Sequence, residues 1–240
     1  MLKAAAALAV ALMSTPAVAA CEVMSFEGDS YTTCRFDLFT EQLALFSLDA
    51  DGQPYGSFSA LERALAAEGK ELAFAMNAGM FGEDLKPIGL YVENGKQARK
   101  INRRNGSGNF HLKPNGVFYV AGGQAGVVET EAYVKRGLKP DFATQSGPML
   151  VINGRIHPKF TETGPSKKRR NGVCAPAKGE AVFAISNGFV NFYSFARLFR
   201  DGLGCQNALF LDGSVSSLHA PEMGRSDGFF DLGPMVAVVK

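Results

Sequence analysis

The sequence predicts an α+β fold of one domain, a largely antiparallel, hairpin-rich sheet packed with a few helices. Three observations carry that reading. Apolar runs of strand length recur along the whole chain,. Asn-Gly, the strongest short-range signal for a two-residue hairpin turn, occurs at Asn94, Asn105, Asn115, Asn153, Asn171 and Asn187, each time beside or between apolar segments. No linker or break in composition divides the chain, so residues 21–240 read as one unit,.

Residues 1–20 read as a cleaved secretory signal. Lys3 supplies the positive start, residues 4–13 the apolar stretch, and Ala17-Val18-Ala19 the small-residue cleavage pattern,. The apolar stretch is too short for an ordinary transmembrane helix. Export to the periplasm or beyond is therefore expected. Val18-Ala19-Ala20-Cys21 also resembles a loose lipoprotein box with Cys21 as the acylated residue. Against that, Cys21 is needed if Cys21, Cys34, Cys174 and Cys205 pair off. An even cysteine count in an exported chain favours disulfides, with three connectivities open. The most economical is Cys21–Cys34, tying the new N-terminus to the first strand, with Cys174–Cys205 stapling the segment before the strand at 208–211.

Removing the signal takes Lys3 away and lowers the formal charge from +2 to +1. That balance gives no electrostatic basis for nucleic acid or membrane binding. The absence of Trp mildly disfavours a platform for long polysaccharides, although Phe and Tyr can stack on a sugar,.

In order, residues 31–48 carry one or two strands, and residues 49–54 a turn whose glycine is misplaced for an EF-hand,. Ser59 followed by Glu62 predicts a capping box for a helix over 60–68, closed by Gly69,. Strands are expected over 71–76 and 87–92, with Asn94-Gly95 turning the second. Residues 101–112 form a long polar, Gly-rich loop, of the kind more often functional than idle,. A hairpin around Gly122-Gly123 and a short helix over 130–138 follow. Ser146-Gly147-Pro148 then leads into a buried strand ending at Asn153-Gly154. Residues 161–170 read as a polar loop. A strand over 181–186 turns at Asn187-Gly188 and returns over 190–193, and Ser194 caps a helix running to Leu203. Residues 208–211 read as a fully buried strand and residues 234–239 as a closing one.

The candidate functional residues share a pattern, in which a polar side chain sits where an apolar strand meets a Gly-containing loop. Asn77, Ser146, Gly147, Arg170, Asp212, Gly213 and Ser214 fit it, with Asn109, His111 and Lys113 in the polar loop beside them. A strand end gives a fixed anchor and small neighbours leave room for a ligand. The plainer reading is that Asn77 and Ser146 bond to their own turns and that Asp212-Gly213 merely ends a strand. No Gly-x-Ser-x-Gly elbow surrounds Ser214, Ser216 or Ser217,. His111, His157 and His219 lack ligand spacing, so neither a metal nor another cofactor is expected,. The basic run Lys167–Arg170 is too short for a nucleic-acid face,. Arg170 stands apart because it leads into Asn171-Gly172-Val173-Cys174, which reads as a disulfide-anchored strand, and a fixed guanidinium suits a phosphate,.

Taken together the motifs resemble the phosphodiester glycosidase domain family, in its short exported bacterial form. They are Asn77-Ala-Gly-Met-Phe81, Pro87-Ile-Gly89, Ser146-Gly-Pro148, Arg170-Asn-Gly-Val173 and Leu211-Asp-Gly213 with Ser216-Ser217, together with residues 108–118. The family's Leu-Asp-Gly-Gly-Gly-Ser pattern reads Leu211-Asp-Gly-Ser-Val-Ser216 here, with two glycines replaced. The resemblance implies hydrolysis of a sugar-1-phosphodiester at the anomeric carbon. It implies Asp212 as nucleophile or general base, Arg170 on the phosphate, Asn77 and Ser146 as hydrogen-bond partners of substrate, and His111 as a proton donor. The altered glycines leave a non-catalytic glycan-binding or structural envelope protein as the alternative.

Overall fold

The computed structural model describes residues 20–240, and the expected signal segment lies outside them except for Ala20. Every strand pairing among them is antiparallel. Three sheets result. The seven-stranded sheet runs, edge to edge, Cys21–Phe26, Asp29–Asp37, Glu180–Ser186, Asn171–Cys174, Ala208–Asp212, Met149–Ile152 and Arg155–Ile156. One five-stranded sheet runs Arg225–Ser226, Leu218–Ala220, Leu72–Asn77, Met235–Val239 and Gln42–Phe46. The other runs Lys96–Arg99, Tyr91–Glu93, Phe142–Ser146, Gly116–Ala121 and Gln124–Glu129.

The three sheets meet around one apolar core to which each contributes a phenylalanine. Phe74 lies 4.7 Å from Phe36 and 5.4 Å from Phe183, and Phe118 lies 5.7 Å from Phe183, ring centre to ring centre. These tilted and edge-on contacts are the favoured aromatic geometries. Helices cover the outer faces. The Phe58–Ala67 helix lays Phe58, Leu61 and Leu65, one stripe at i, i+3 and i+7, on the sheet that contains Leu72 and Met235,. The Phe192–Arg197 helix and the π-helical turn Leu198–Gly202 bury Phe195 and Phe199 against Phe210 and Ala208 of the seven-stranded sheet.

Bonds join Cys21 to Cys34 and Cys174 to Cys205. Cys21 and Cys34 sit directly opposite each other on paired strands. With its sulfur in that bond, Cys21 has no thiol to acylate.

Several local expectations need correction. The helix at 58–67 is capped by Ser57, whose Oγ accepts the Ala60 N–H at 3.2 Å, and Ser59 lies within its first turn. Burying Phe58 sets the helix start earlier than the Ser59–Glu62 pattern implied. The return strand over 190–193 does not form. Val190 makes a single bridge to Lys168, and a helix capped by Asn191, not Ser194, starts at Phe192. The strand over 87–92 shrinks to Tyr91–Glu93. Asn94-Gly95 and Asn153-Gly154 do turn hairpins, with φ of 51° and 72° and of 49° and 77°,. Asn115-Gly116 and Asn171-Gly172, by contrast, lie at strand starts. Gly172 is there for proximity, since a Cβ on it would stand 2.8 Å from the Leu209 carbonyl oxygen.

Replacing Cys174 and Cys205 by Ala is expected to lower the unfolding free energy by roughly 3–4 kcal/mol, and replacing Cys21 and Cys34 by less, because the closed loops span 31 and 13 residues,. Urea titration of the two double variants checks that order.

Candidate active site

The strand Ala208–Asp212 places the acid. Ala208, Leu209, Phe210 and Leu211 are fully buried, and the chain then opens into Gly213 and Ser214. The pairing with Asn171–Cys174 shifts register at this point, with Gly172 facing Phe210 and Asn171 facing Asp212. Such a bulge re-aims the side chains beside it. Here it puts the Asn171 amide against both the Asp212 backbone and the neighbouring sheet.

Asn171 is the hub. Its Oδ1 accepts the Asp212 N–H at 2.9 Å and the Ser216 hydroxyl at 3.2 Å, while its Nδ2 donates to the Asn77 carbonyl at 2.9 Å. Asn77 completes the frame. Its Oδ1 accepts the Ser217 N–H at 2.6 Å, and its Nδ2 donates to the Val215 carbonyl at 3.1 Å and to Asp212 Oδ2 at 3.4 Å. Ser216 Oγ also lies 3.0 Å from the Asp212 carbonyl, so its single proton is shared between that oxygen and Asn171 Oδ1. The loop 213–217 is thus tied at both ends by two asparagines from different sheets.

Asp212 is held by the Gly213 N–H, which donates to Oδ1 at 2.6 Å, and by Asn77. Neither bond brings a positive charge. Although the residue is not fully buried, burial outweighs both hydrogen bonds and pushes the carboxyl up from 3.8 to about 6,. Among the described residues no cation forms an ion pair with it.

Arg170 precedes the hub on the same strand edge and is 1 % exposed. Its Nε donates to the Val190 carbonyl at 2.9 Å and its Nη2 to the Ser166 carbonyl at 2.7 Å. The guanidinium carbon stacks 3.6 Å over the Phe192 ring and 5.5 Å from that of Phe210,. Phe192 in turn stacks on Phe160 at 4.8 Å, and Phe160 on His157 at 4.6 Å. No carboxylate among the described residues pairs with Arg170, and burial alone pulls its pKa down to about 10, so it stays charged at neutral pH,. Among the described residues Nη1 has no acceptor. A buried cation with one free edge and no counter-ion is a ready anion receptor.

The other sequence candidates divide. Gly213, buried, and Ser214, exposed, begin the loop that follows Asp212. Ser146 is fully buried and its hydroxyl donates to the Leu211 carbonyl at 2.8 Å, so it braces the strand. The side-chain N–H groups of Asn77 are likewise taken by the protein, through the Val215 carbonyl and Asp212 Oδ2. A Cβ on Gly147 would stand 2.9 Å from the Phe110 carbonyl oxygen and 3.4 Å from that of Asn109, so Gly147 seats the polar loop against the strand end. Asn109 is exposed on the 3₁₀ turn Asn109–His111. His111 bonds through Nδ1 to the Arg104 carbonyl at 3.1 Å and packs edge-on against Phe110; no hydrogen bond joins it to Asp212. Lys113 donates to the Arg103 carbonyl and to Asn105 within that loop. Sequence reasoning missed Asn171 and Phe192. Asn171 was visible in the strand expected over 171–174 and in the Arg170-Asn-Gly-Val173 motif, but neither pointed to its amide as the brace of Asp212.

Concavities of about 680, 540 and 400 Å³ open elsewhere, and none is lined by Asp212, Asn77 or Arg170. The chemistry of its groups, rather than cavity size, identifies this site.

Residues 70–223 match the family described as phosphodiester glycosidase. The chain is 40% identical over 180 residues to the uncharacterized protein YigE of Escherichia coli K12, covering 75% of this chain and 70% of that one. Its fold is similar to the catalytic domain of zebrafish N-acetylglucosamine-1-phosphodiester α-N-acetylglucosaminidase, auto-inhibited by its pro-peptide. The TM-score is 0.60 at 14% identity, covering 91% of this chain and 81% of that one. A hypothetical protein from Synechocystis shares the fold with a TM-score of 0.54 at 15% identity, covering 91% and 61%.

Two outcomes are expected from this geometry. Asn171→Ala, which strips partners from the Asp212 N–H and the Asn77 carbonyl, should destabilise the protein by about 2–4 kcal/mol in urea titration. The folded pKa of Asp212 lies above its unfolded value, so wild-type stability falls as pH rises from about 4 to about 6,. Asp212→Asn should therefore melt higher than wild type at pH 7 to 8, by up to roughly 3 kcal/mol, with the advantage fading below pH 4. Thermal melts across pH read it directly.

Proposed function

The chain belongs to the phosphodiester glycosidase family, and on that premise we propose that it hydrolyses the anomeric C–O bond of a sugar-1-phosphodiester in an envelope or extracellular glycan. The observation that carries this reading is a desolvated carboxylate at Asp212 and, beside its hub on the adjoining strand, a buried guanidinium, neither of them ion-paired among the described residues. Ordinary glycosidases use two carboxyl groups, one of them a strong acid for the departing sugar oxygen. A phosphomonoester, with a second pKa of about 6, departs without such help. One carboxylate and one phosphate clamp then suffice.

In this mechanism Arg170 holds the phosphodiester through its free Nη1 edge, with Phe192 keeping the guanidinium flat. Asp212 faces C1 and either attacks it or takes the proton of an attacking water. The C1–O bond breaks toward the phosphate, which leaves as the monoester, and the sugar is released with a hydroxyl at C1. Asn77 and Asn171 fix the carboxylate. His111 would reach substrate only as part of the 101–112 loop. Two disulfides, and the lack of any described helix long and apolar enough to cross a membrane, support a place in the periplasm or outside the cell,.

Incubation with α-N-acetylglucosaminyl-1-phosphodiesters should release free sugar. Activity should rise through about pH 6, as Asp212 ionises, to a plateau above it,. Asp212→Asn should lower kcat by about a thousandfold or more, and Arg170→Lys, which keeps charge but loses the planar fork, should raise KM. No sugar release from any diester of the panel, or an unchanged acid limb in Asp212→Asn, would sink the assignment.

A further inference from the structure

A second region combines a concavity, a dissatisfied buried hydroxyl and unpaired cations. The concavity of about 400 Å³ is lined by Ser47, Leu48, Lys86, Pro87, Tyr91, Glu93, Asn94, Lys96, Ala98 and Arg99. Its volume falls within the roughly 300–1,000 Å³ of small-molecule sites. Ser47 Oγ is the one buried side-chain polar atom among the described residues with no hydrogen-bond partner. Such an atom costs free energy unless something satisfies it. Leu48 and Pro87 give the wall an apolar strip. Deeper, the Tyr91 hydroxyl donates to Glu93 Oε2 at 2.8 Å, and burial raises the carboxyl of Glu93 above its usual range.

The charges are asymmetric. Lys86, Lys96 and Arg99 are exposed and form no ion pair among the described residues. Glu93 is the only carboxylate lining the concavity. Asp84 lies nearby in sequence, but its Oδ1 accepts the Lys86 backbone N–H and does not line the space. Three cations against one carboxyl leave an excess that a phosphomonoester, carrying about −1.5 to −2 at neutral pH, would balance. The deeper groups suit hydroxyls: a carboxyl and a phenol that accept or donate, and a serine without a partner.

We propose that this concavity is a second ligand site, separate from Asp212, that takes a sugar phosphate. The phosphate sits at Lys86, Lys96 and Arg99. The sugar hydroxyls meet Ser47 Oγ, the Tyr91 hydroxyl and Glu93, with the sugar's apolar face on Leu48 and Pro87. The site is independent of the hydrolytic reading of Asp212, since it shares no residue with it.

The test is calorimetric titration of the full chain with glucose 6-phosphate, which contains no phosphodiester to cleave. Saturable binding is expected at low ionic strength, with glucose and inorganic phosphate each binding at least about tenfold more weakly. Lys96→Glu combined with Arg99→Glu, both on an exposed edge strand, should weaken binding by tenfold or more with the melting temperature unchanged. Ser47→Ala should weaken it without lowering that temperature. Arg170→Lys should leave it as it was. Three results would overturn the proposal: no saturable binding at millimolar ligand, binding indifferent to the edge-strand charge reversal, or binding lost in Arg170→Lys, which would place the ligand at the other site.

Discussion

The site depends on a single side-chain amide that spans two sheets. Asn171 holds the Asp212 N–H with its oxygen and the Asn77 carbonyl with its nitrogen. Asp212 and Asn171 belong to the seven-stranded sheet and Asn77 to a five-stranded one. Because the amide is planar and fully buried, the two contacts fix the separation of the strand ends. The loop 213–217 follows, since Ser216 and Ser217 are anchored to the same two asparagines. A carboxylate carried by such a loop has little freedom to seek its own counter-ion. That is how a charge-bearing group can be kept in a dry place without collapsing onto a cation.

The same economy governs Arg170. Its aliphatic and planar surfaces are satisfied by aromatic rings, and two of its nitrogens by backbone carbonyls. None of these partners neutralises it. The aromatic series from His157 through Phe160 and Phe192 to Phe210 excludes water from the cation while leaving its charge intact. Two groups of opposite charge, each desolvated and neither ion-paired among the described residues, are what the proposed hydrolysis would require of this site,.

Much of the fold was legible because it rests on local chemistry. The run 208–211 has the composition of a buried strand and is one, and Asn94-Gly95 and Asn153-Gly154 turn hairpins because both residues tolerate positive φ. Asn171-Gly172 is the same dipeptide, yet it opens the disulfide-anchored strand expected over 171–174 and makes no turn. There the glycine admits the Leu209 carbonyl, and the asparagine serves a neighbour distant in sequence. Local signals cannot distinguish an amide that turns its own backbone from one that braces another strand. Edge strands such as Lys96–Arg99, exposed at every position, carry no alternation to detect,. Asp212 and Arg170 were readable as residue types at strand ends. The absence of a counter-ion for either is a property of tertiary packing that no spacing encodes.

The position of Met235–Val239 has a consequence for how the molecule comes into being. This strand lies between Leu72–Asn77 and Gln42–Phe46, pairing with both. Two strands made early in synthesis therefore have no direct bond to each other and wait for one made near the end of the chain. As the polypeptide emerges N-terminus first, the sheet that carries Asn77 stays open until residues 235–239 are available. For a chain exported in the manner proposed, that order of events delays closure during translation. Asn77, the part of the asparagine frame that this sheet carries, gains its partner strand last.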